Sequence, residues 1–290
     1  MALIGSHGIE KESIKAVLVD LSGTIHVGNH EIPGAIDACV RLQKEPGIQV
    51  LFLTNTTKLS SFSLLQQLRT IGFGEDAVPE GSIMTSTGAA REMLLKYDLK
   101  PLCLVEDDLL DDLEGIDVNH SAKNCVLVGL APSAFHYSRL NDAFRVLHRI
   151  KHENGPEKNV PISPLIAIHR AKYFMDQDGQ MSLGPGGFVS CLEEATEMEA
   201  TVVGKPSRTF FQSALSRLGV LPEETVMIGD DIIGDIEGAK AAGLGATILV
   251  RTGKYMMRDE NKGDPSLVVD SIVEAIDCIL TGTFENASRN

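Results

Sequence analysis

Four short apolar runs in this chain each end in a polar residue followed by turn chemistry, and that recurrence limits its fold more than any other feature. Asp20 follows AVLV, Thr54 follows VLFL, Lys205 follows TVVG and Asp230 follows VMIG. Runs of this length, rich in Val and Ile and apolar at every position, read as strands covered on both faces. The clearest are Ala16–Val19, Val50–Leu53, Thr201–Val203, Val226–Ile228 and Ala246–Val250. Helical patterns lie between several of them. Pro33 and Gly34 open one that runs through Leu42. Ser60 or Ser61 caps another through Leu64, Leu65, Leu68 and Ile71. Pro206 suits a first helical turn ahead of Phe210, Phe211, Leu215 and Leu218. Strands alternating with helices give an α/β protein with a Rossmann-like parallel sheet.

The middle of the chain carries a second set of elements. Leu102–Val105, Cys125–Leu130 and Leu165–Ile168 read as strands, with helices over Gly88–Tyr97 and Tyr137–Lys151 and a polar loop, HENGPEKNVP, at 152–161. This stretch is long enough for a separate core. The expected organisation is a discontinuous core domain over 1–80 and 185–282, an inserted α/β domain over 81–184, and a C-terminal tail at 283–290.

Composition narrows the setting. The five cysteines are scattered, with no C-x-x-C spacing, and read as buried thiols in a reducing compartment. The N-terminal residues show no signal-peptide pattern, and no apolar run reaches the ~20 residues of a membrane span. A cytoplasmic protein is expected. A net charge of −14 argues against nucleic acid or an anionic membrane as partner. An anionic small molecule stays compatible, because a bound cation and a well-placed lysine reverse the field locally.

Ligands of open parallel sheets bind beyond the carboxyl ends of the strands. The four strand ends would there assemble two carboxylates, a hydroxyl and an ammonium. Taken singly, an Asp after a strand is more often a helix cap, and a lysine before proline a solvated surface residue. Together they are what phosphoryl transfer through a covalent intermediate requires: an attacking carboxylate, a second to hold Mg²⁺, and donors for the phosphoryl oxygens. No G-x-G-x-x-G follows the first strand and no G-x-x-x-x-G-K-[ST] occurs, so neither a dinucleotide-binding nor a P-loop reading fits.

Asp20-Leu21-Ser22-Gly23-Thr24 resembles the first haloacid dehalogenase motif, Thr54-Asn55 the second, Lys205-Pro206 the third, and Gly229-Asp230-Asp231 with Asp235 the fourth. The likeness runs from about Lys15 to Leu280. The insertion, with GPGG at 184–187, resembles the large α/β cap of the p-nitrophenyl-phosphatase-like branch. The resemblance implies an Mg²⁺-dependent phosphatase in which Asp20 is nucleophile and metal ligand. The Ser22 main-chain carbonyl and Asp230 complete the protein ligands, with Asp231 and Asp235 in support. Leu21, Ser22, Thr54 and Asn55 would bind the transferring phosphoryl group, and Lys205 would neutralise charge beside it. Capped relatives pair through the cap, so a homodimer is compatible.

Ser22 departs from the motif, which has an aspartate there as general acid and base. A serine hydroxyl does not titrate near neutrality, and losing such a group costs about two to four orders of magnitude. Two expectations follow: a phosphatase restricted to good leaving groups, such as pyrophosphate or phosphorus–nitrogen bonds, or a weakly active or inactive relative that binds a phosphorylated ligand or a partner. His26 and His169 are the candidates for a substitute acid. The acidic runs at 106–112 and 193–199 read as solvated surface.

Overall fold

The computed structural model describes residues 11–154, 161–176 and 178–283. Most of the polar loop expected at 152–161, and all of the expected tail except Thr283, lie outside them.

The chain divides into two compact units. One comprises 1–53, 68–83 and 211–290, and the other 54–67 and 84–210. The first unit is built on a six-stranded sheet. Its order is Leu267–Val269, Ala246–Val250, Thr225–Gly229, Ala16–Asp20, Gln49–Thr54 and Ile83–Thr85. The pairings on both sides of Ala16–Asp20 are parallel, with Val19 opposite Ile228 and Asp20 opposite Leu53. Every residue of Ala16–Asp20, Thr225–Gly229 and Ala246–Val250 is buried. This doubly covered burial explains why these runs are apolar throughout instead of alternating. Because the strands are parallel, Asp20 and Asp230 leave the sheet at the same edge.

The second unit holds a four-stranded parallel sheet in the order Thr201–Val202, Leu165–Ala167, Cys125–Val128 and Pro101–Leu104. Successive residues feed opposite cores. Val126, Val128, Leu165 and Ala167 pack with Ala143 and Leu147 of helix Tyr137–Arg149 and with Val189 and Leu192 of helix Gly186–Thr196. Cys125, Leu127, Ile166 and Ile168 pack instead with Ala90 and Leu94 of helix Ser86–Lys96. That period of two is the strand signature, here with both faces buried.

The run around Thr201 was expected to be a strand of the core sheet. It belongs to the other sheet, pairing Thr201 with Ile166 and Val202 with Ala167. A short buried strand carries no mark of which sheet it joins; the packing of Val189 and Ala200 on the second unit's core decides it. The division consequently differs from the boundaries expected at 81 and 184: the second unit extends to Phe210 and includes 54–67.

Candidate active site

Asp20 ends its strand with 6% of its surface exposed. The chain then turns tightly, Ile25 N–H bonding to Leu21 C=O at 2.9 Å and Gly23 N–H to His26 C=O at 2.7 Å. Thr24 Oγ1 donates to Asp20 Oδ2 at 3.1 Å, which fixes the carboxylate. Gly23 has φ +97°, and a Cβ there would lie 2.2 Å from Asp230 Oδ2. Only glycine suits both the conformation and the approach.

Asp230 and Asp235 follow the neighbouring strand. Asp230 is 2% exposed and Asp235 is fully buried. A Cβ on Gly229 would fall 2.1 Å from Asp235 Oδ2, so the absent side chain makes room for that carboxylate. Asp235 Oδ2 accepts the Asp231 N–H at 3.1 Å. Asp231 caps the helical segment Ile232–Glu237 through the Ile233 N–H at 3.1 Å. Asp20, Asp230 and Asp235 each offer an oxygen, all within 4.8 Å of one another. Asp235, expected in support, thus stands among the carboxylates that meet, whereas Asp231 is engaged in capping and in an ion pair.

Three buried carboxylates this close repel one another. Burial pushes the Asp230 carboxyl well above the usual carboxylate range; Lys254 opposes this, while Asp20 and Asp235 reinforce it. Asp230 Oδ2 accepts the Lys254 N–H at 2.8 Å, but Asp230 Oδ1 is buried with no hydrogen-bond partner. Buried carboxylate oxygens without partners are costly. A divalent cation would use that oxygen and cancel the repulsion, and an all-oxygen set suits a hard ion such as Mg²⁺. The residues present fit such an ion.

Lys254 was not singled out by sequence reasoning. Its ammonium pairs with Asp231 Oδ2 at 2.7 Å. The signal lay in R-T-G-K-Y at 251–255, whose glycine marks a close approach. A Cβ at Gly253 would lie 2.1 Å from Asp230 Oδ2 and 2.5 Å from Gly23 Cα.

The remaining site candidates lie in the second unit. Asn55 clips the Lys205 main chain on both sides: its Nδ2 donates to Lys205 C=O at 2.8 Å, and its Oδ1 accepts the Lys205 N–H at 3.0 Å. A Cβ at Gly204 would strike Asn55 Oδ1 at 2.3 Å. The Asn55 side chain therefore positions Lys205, which leaves its main chain for the expected ligand contact. Lys205 is 4% exposed and Thr54 1%. Thr54 Oγ1 donates to Thr56 Oγ1 and accepts the Thr56 N–H, both at 3.0 Å.

Neither histidine is arranged as the substitute acid. Ala171 N–H donates to His169 Nδ1 at 3.3 Å, which places the ring proton on Nε2. That nitrogen meets Thr57 Oγ1 at 3.2 Å, and the same oxygen accepts the Leu130 N–H at 2.8 Å. His169 thus serves as a fixed internal bridge. His26 Nδ1 lies 2.9 Å from Gly28 C=O, an acceptor, so Nδ1 carries the proton. Burial lowers the pKa of His26 against the opposing effects of that carbonyl and of Asp20, and Nε2 stays unprotonated near neutrality.

The acidic run at 106–112 is a helix cap. Asp108 accepts the Ser60 N–H at 2.6 Å and Ser63 Oγ at 3.0 Å, and Asp112 accepts both the N–H and Oγ of Ser61 at 2.9 Å. These bonds satisfy donors at the start of helix Ser61–Ile71, where negative charge is favoured. Ser60 Oγ, accepting the Ser63 N–H at 3.2 Å, caps it as expected.

Comparison with known proteins places the chain among relatives matched over nearly its whole length. A haloacid dehalogenase-like hydrolase model matches residues 17–119, and a HAD-hydrolase-like model matches 202–275. The chain is 46% identical over 272 residues to haloacid dehalogenase-like hydrolase domain-containing protein 2 of Bos taurus, covering 93% of this chain and 97% of that one. It is 36% identical over 278 residues to phospholysine phosphohistidine inorganic pyrophosphate phosphatase of Danio rerio, covering 93% and 96%. Among solved structures, 4-nitrophenylphosphatase of Thermotoga maritima superposes with TM-score 0.78 at 22% identity, covering 93% and 98%.

Proposed function

The chain belongs to the haloacid dehalogenase-like hydrolases, and from that premise we propose that it is an Mg²⁺-dependent phosphohydrolase acting through an aspartyl-phosphate on Asp20. Its substrate is a small phosphorylated molecule with a good leaving group, a pyrophosphate or a phosphorus–nitrogen compound. The observation that carries the reading is the meeting of Asp20, Asp230 and Asp235 within 4.8 Å, with Asp230 Oδ1 buried and unpartnered.

Asp20, the Ser22 main-chain carbonyl and Asp230 would hold the ion, with Asp235 beside them and Asp231 supporting the turn. When bound, the ion neutralises charge on the phosphoryl oxygens and the nucleophile. The Asp20 carboxylate, oriented by Thr24, attacks phosphorus, and the phosphorus–leaving-group bond breaks. Main-chain donors of Leu21 and Ser22, the Thr54 hydroxyl, the Asn55 main chain and the Lys205 ammonium bind the transferring group. Water then hydrolyses the acyl phosphate and regenerates Asp20.

Ser22 sets the substrate class. Its hydroxyl neither protonates a leaving oxygen nor activates water near neutrality, and His26 and His169 are not arranged to replace it. Leaving groups that need less proton assistance are slowed less in the first step than simple alkyl esters, while the slower activation of water falls on the aspartyl-phosphate common to all substrates. The name of the Danio rerio relative points the same way. The scattered, unpaired cysteines suit a reducing, cytoplasmic setting.

The same serine favours a second reading, a relative that binds phosphorylated ligands without turning them over. Assaying the protein and its Asp20→Asn variant on pyrophosphate, phosphohistidine and an alkyl phosphate, with and without Mg²⁺, separates the two. We expect turnover of the first two that needs both Asp20 and Mg²⁺. No such turnover on any of the three would leave the binding role.

A further inference from the structure

We infer that Lys254 is the resident counter-cation of the carboxylate cluster, a positioning residue that holds Asp230, Asp231 and Asp235 in place while no divalent ion is bound. The inference rests on the metal-site reading above and goes beyond it, since it assigns a role to a residue outside the four motifs.

The loop that carries Lys254 is fastened to both acidic turns. Thr252 Oγ1 donates to Gly23 C=O in the turn after Asp20. Gly253, at φ +59°, brings the backbone against Asp230 and Gly23, where a side chain would not fit. Lys254 then makes two contacts of different kinds. Its N–H donates to Asp230 Oδ2 at 2.8 Å, and its ammonium pairs with Asp231 Oδ2 at 2.7 Å. The Asp231 N–H in turn bonds Asp235 Oδ2 at 3.1 Å, so a single lysine is linked to three aspartates.

Exposure distinguishes this pair from an ordinary surface ion pair. The Lys254 side chain is 20% exposed and that of Asp231 26%, against 39% and 78% for Arg251 of the same loop and its partner Asp270. Screening by water is weaker at the former, and the nearby buried Asp235 adds to the attraction. Without a divalent ion, that ammonium is a compensating charge hydrogen-bonded directly to this acidic turn. With the ion bound, the cluster has a second compensating charge, and the lysine counts for less.

The test compares thermal stability of the full chain with and without saturating Mg²⁺. Lys254→Met keeps the hydrocarbon stem and the main-chain bond to Asp230, so it removes the ammonium alone. We expect the metal-free melting temperature to fall by about 3–6 °C. The Mg²⁺-saturated value should fall by less than half as much, so that the rise produced by Mg²⁺ widens. Lys254→Arg should keep the wild-type difference. If Lys254→Met does not fold, Lys254→Gln is read in the same way. Equal losses in the two states, or no loss in either, overturn the inference while the metal site stands. A wild-type protein whose melting temperature ignores both Mg²⁺ and Mn²⁺ overturns the metal-site reading and this inference with it.

Discussion

The two sheets are built by the same rule and end differently. Both are parallel, and both bury apolar side chains on both faces. At the edge of the six-stranded sheet, the polar groups are carboxylates that face one another, and one buried oxygen has no partner. In the four-stranded sheet's unit, buried polar groups pair with one another at two places, Asn55 with the Lys205 main chain and Thr57 with His169 and Leu130, and the buried atoms left without a partner there, Ser86 Oγ and Thr87 Oγ1, are uncharged hydroxyls. A buried carboxylate oxygen without a partner suits an ion still to be bound, whereas buried polar groups that satisfy one another hold shape. The first unit is therefore where the carboxylates that could hold an ion meet.

The largest effect that would break this contrast is a gain. Ser22→Asp should restore the missing acid and base and raise hydrolysis of an alkyl phosphate by about 10²–10⁴-fold, while pyrophosphate hydrolysis changes far less. The values of kcat/KM on both substrates, which do not include hydrolysis of the shared aspartyl-phosphate, check it. An equal gain on both would detach Ser22 from substrate choice.

Asp230→Asn comes next and should act in opposite directions on binding and stability. Mg²⁺ affinity, read by titration calorimetry, should fall by more than about 100-fold, since even outer-shell changes cost up to that much. Metal-free stability should rise at neutral pH. Because burial raises the Asp230 pKa, the folded chain keeps a proton that the unfolded chain has released. Stability contributed by that proton falls as pH rises from the unfolded carboxylate value toward the folded one. Melting curves across that window should slope downward for the wild type and flatten in the variant.

In the second unit the same kind of change should only destabilise. Thr57→Val leaves the buried Leu130 N–H and the His169 ring without their shared acceptor, a cost of about 1–3 kcal/mol in denaturant unfolding. Smaller again, Asp112→Ala removes the acceptor for the Ser61 N–H and hydroxyl, about 0.5–2 kcal/mol by the cost of losing a helix cap. Neither should alter Mg²⁺ affinity, and a change there would erase the distinction between the two regions.

Much of this contrast was legible in the residues. Asp20 and Asp230 announced themselves because a continuous apolar run followed by an acid and a glycine reports both a doubly covered strand and a tight exit. The second sheet's strands at 125 and 165 were readable for the same reason. Thr201–Val202 was assigned to the wrong sheet because two residues of strand specify burial but no partner. Asp235 looked peripheral because its place depends on Gly229 having no side chain, a steric fact absent from spacing. Lys254 went unassigned because its role comes from a positive-φ glycine that brings the loop at 252–254 against a turn more than two hundred positions earlier. The tautomers of His26 and His169 are set by carbonyl and amide neighbours that no motif records.

The most direct measurement is anomalous diffraction from crystals grown with Mn²⁺ in place of Mg²⁺. We predict one strong peak at coordination distance from oxygens of both Asp20 and Asp230. Full Mn²⁺ occupancy elsewhere, with no peak between those two carboxylates, would contradict the metal-centred phosphatase.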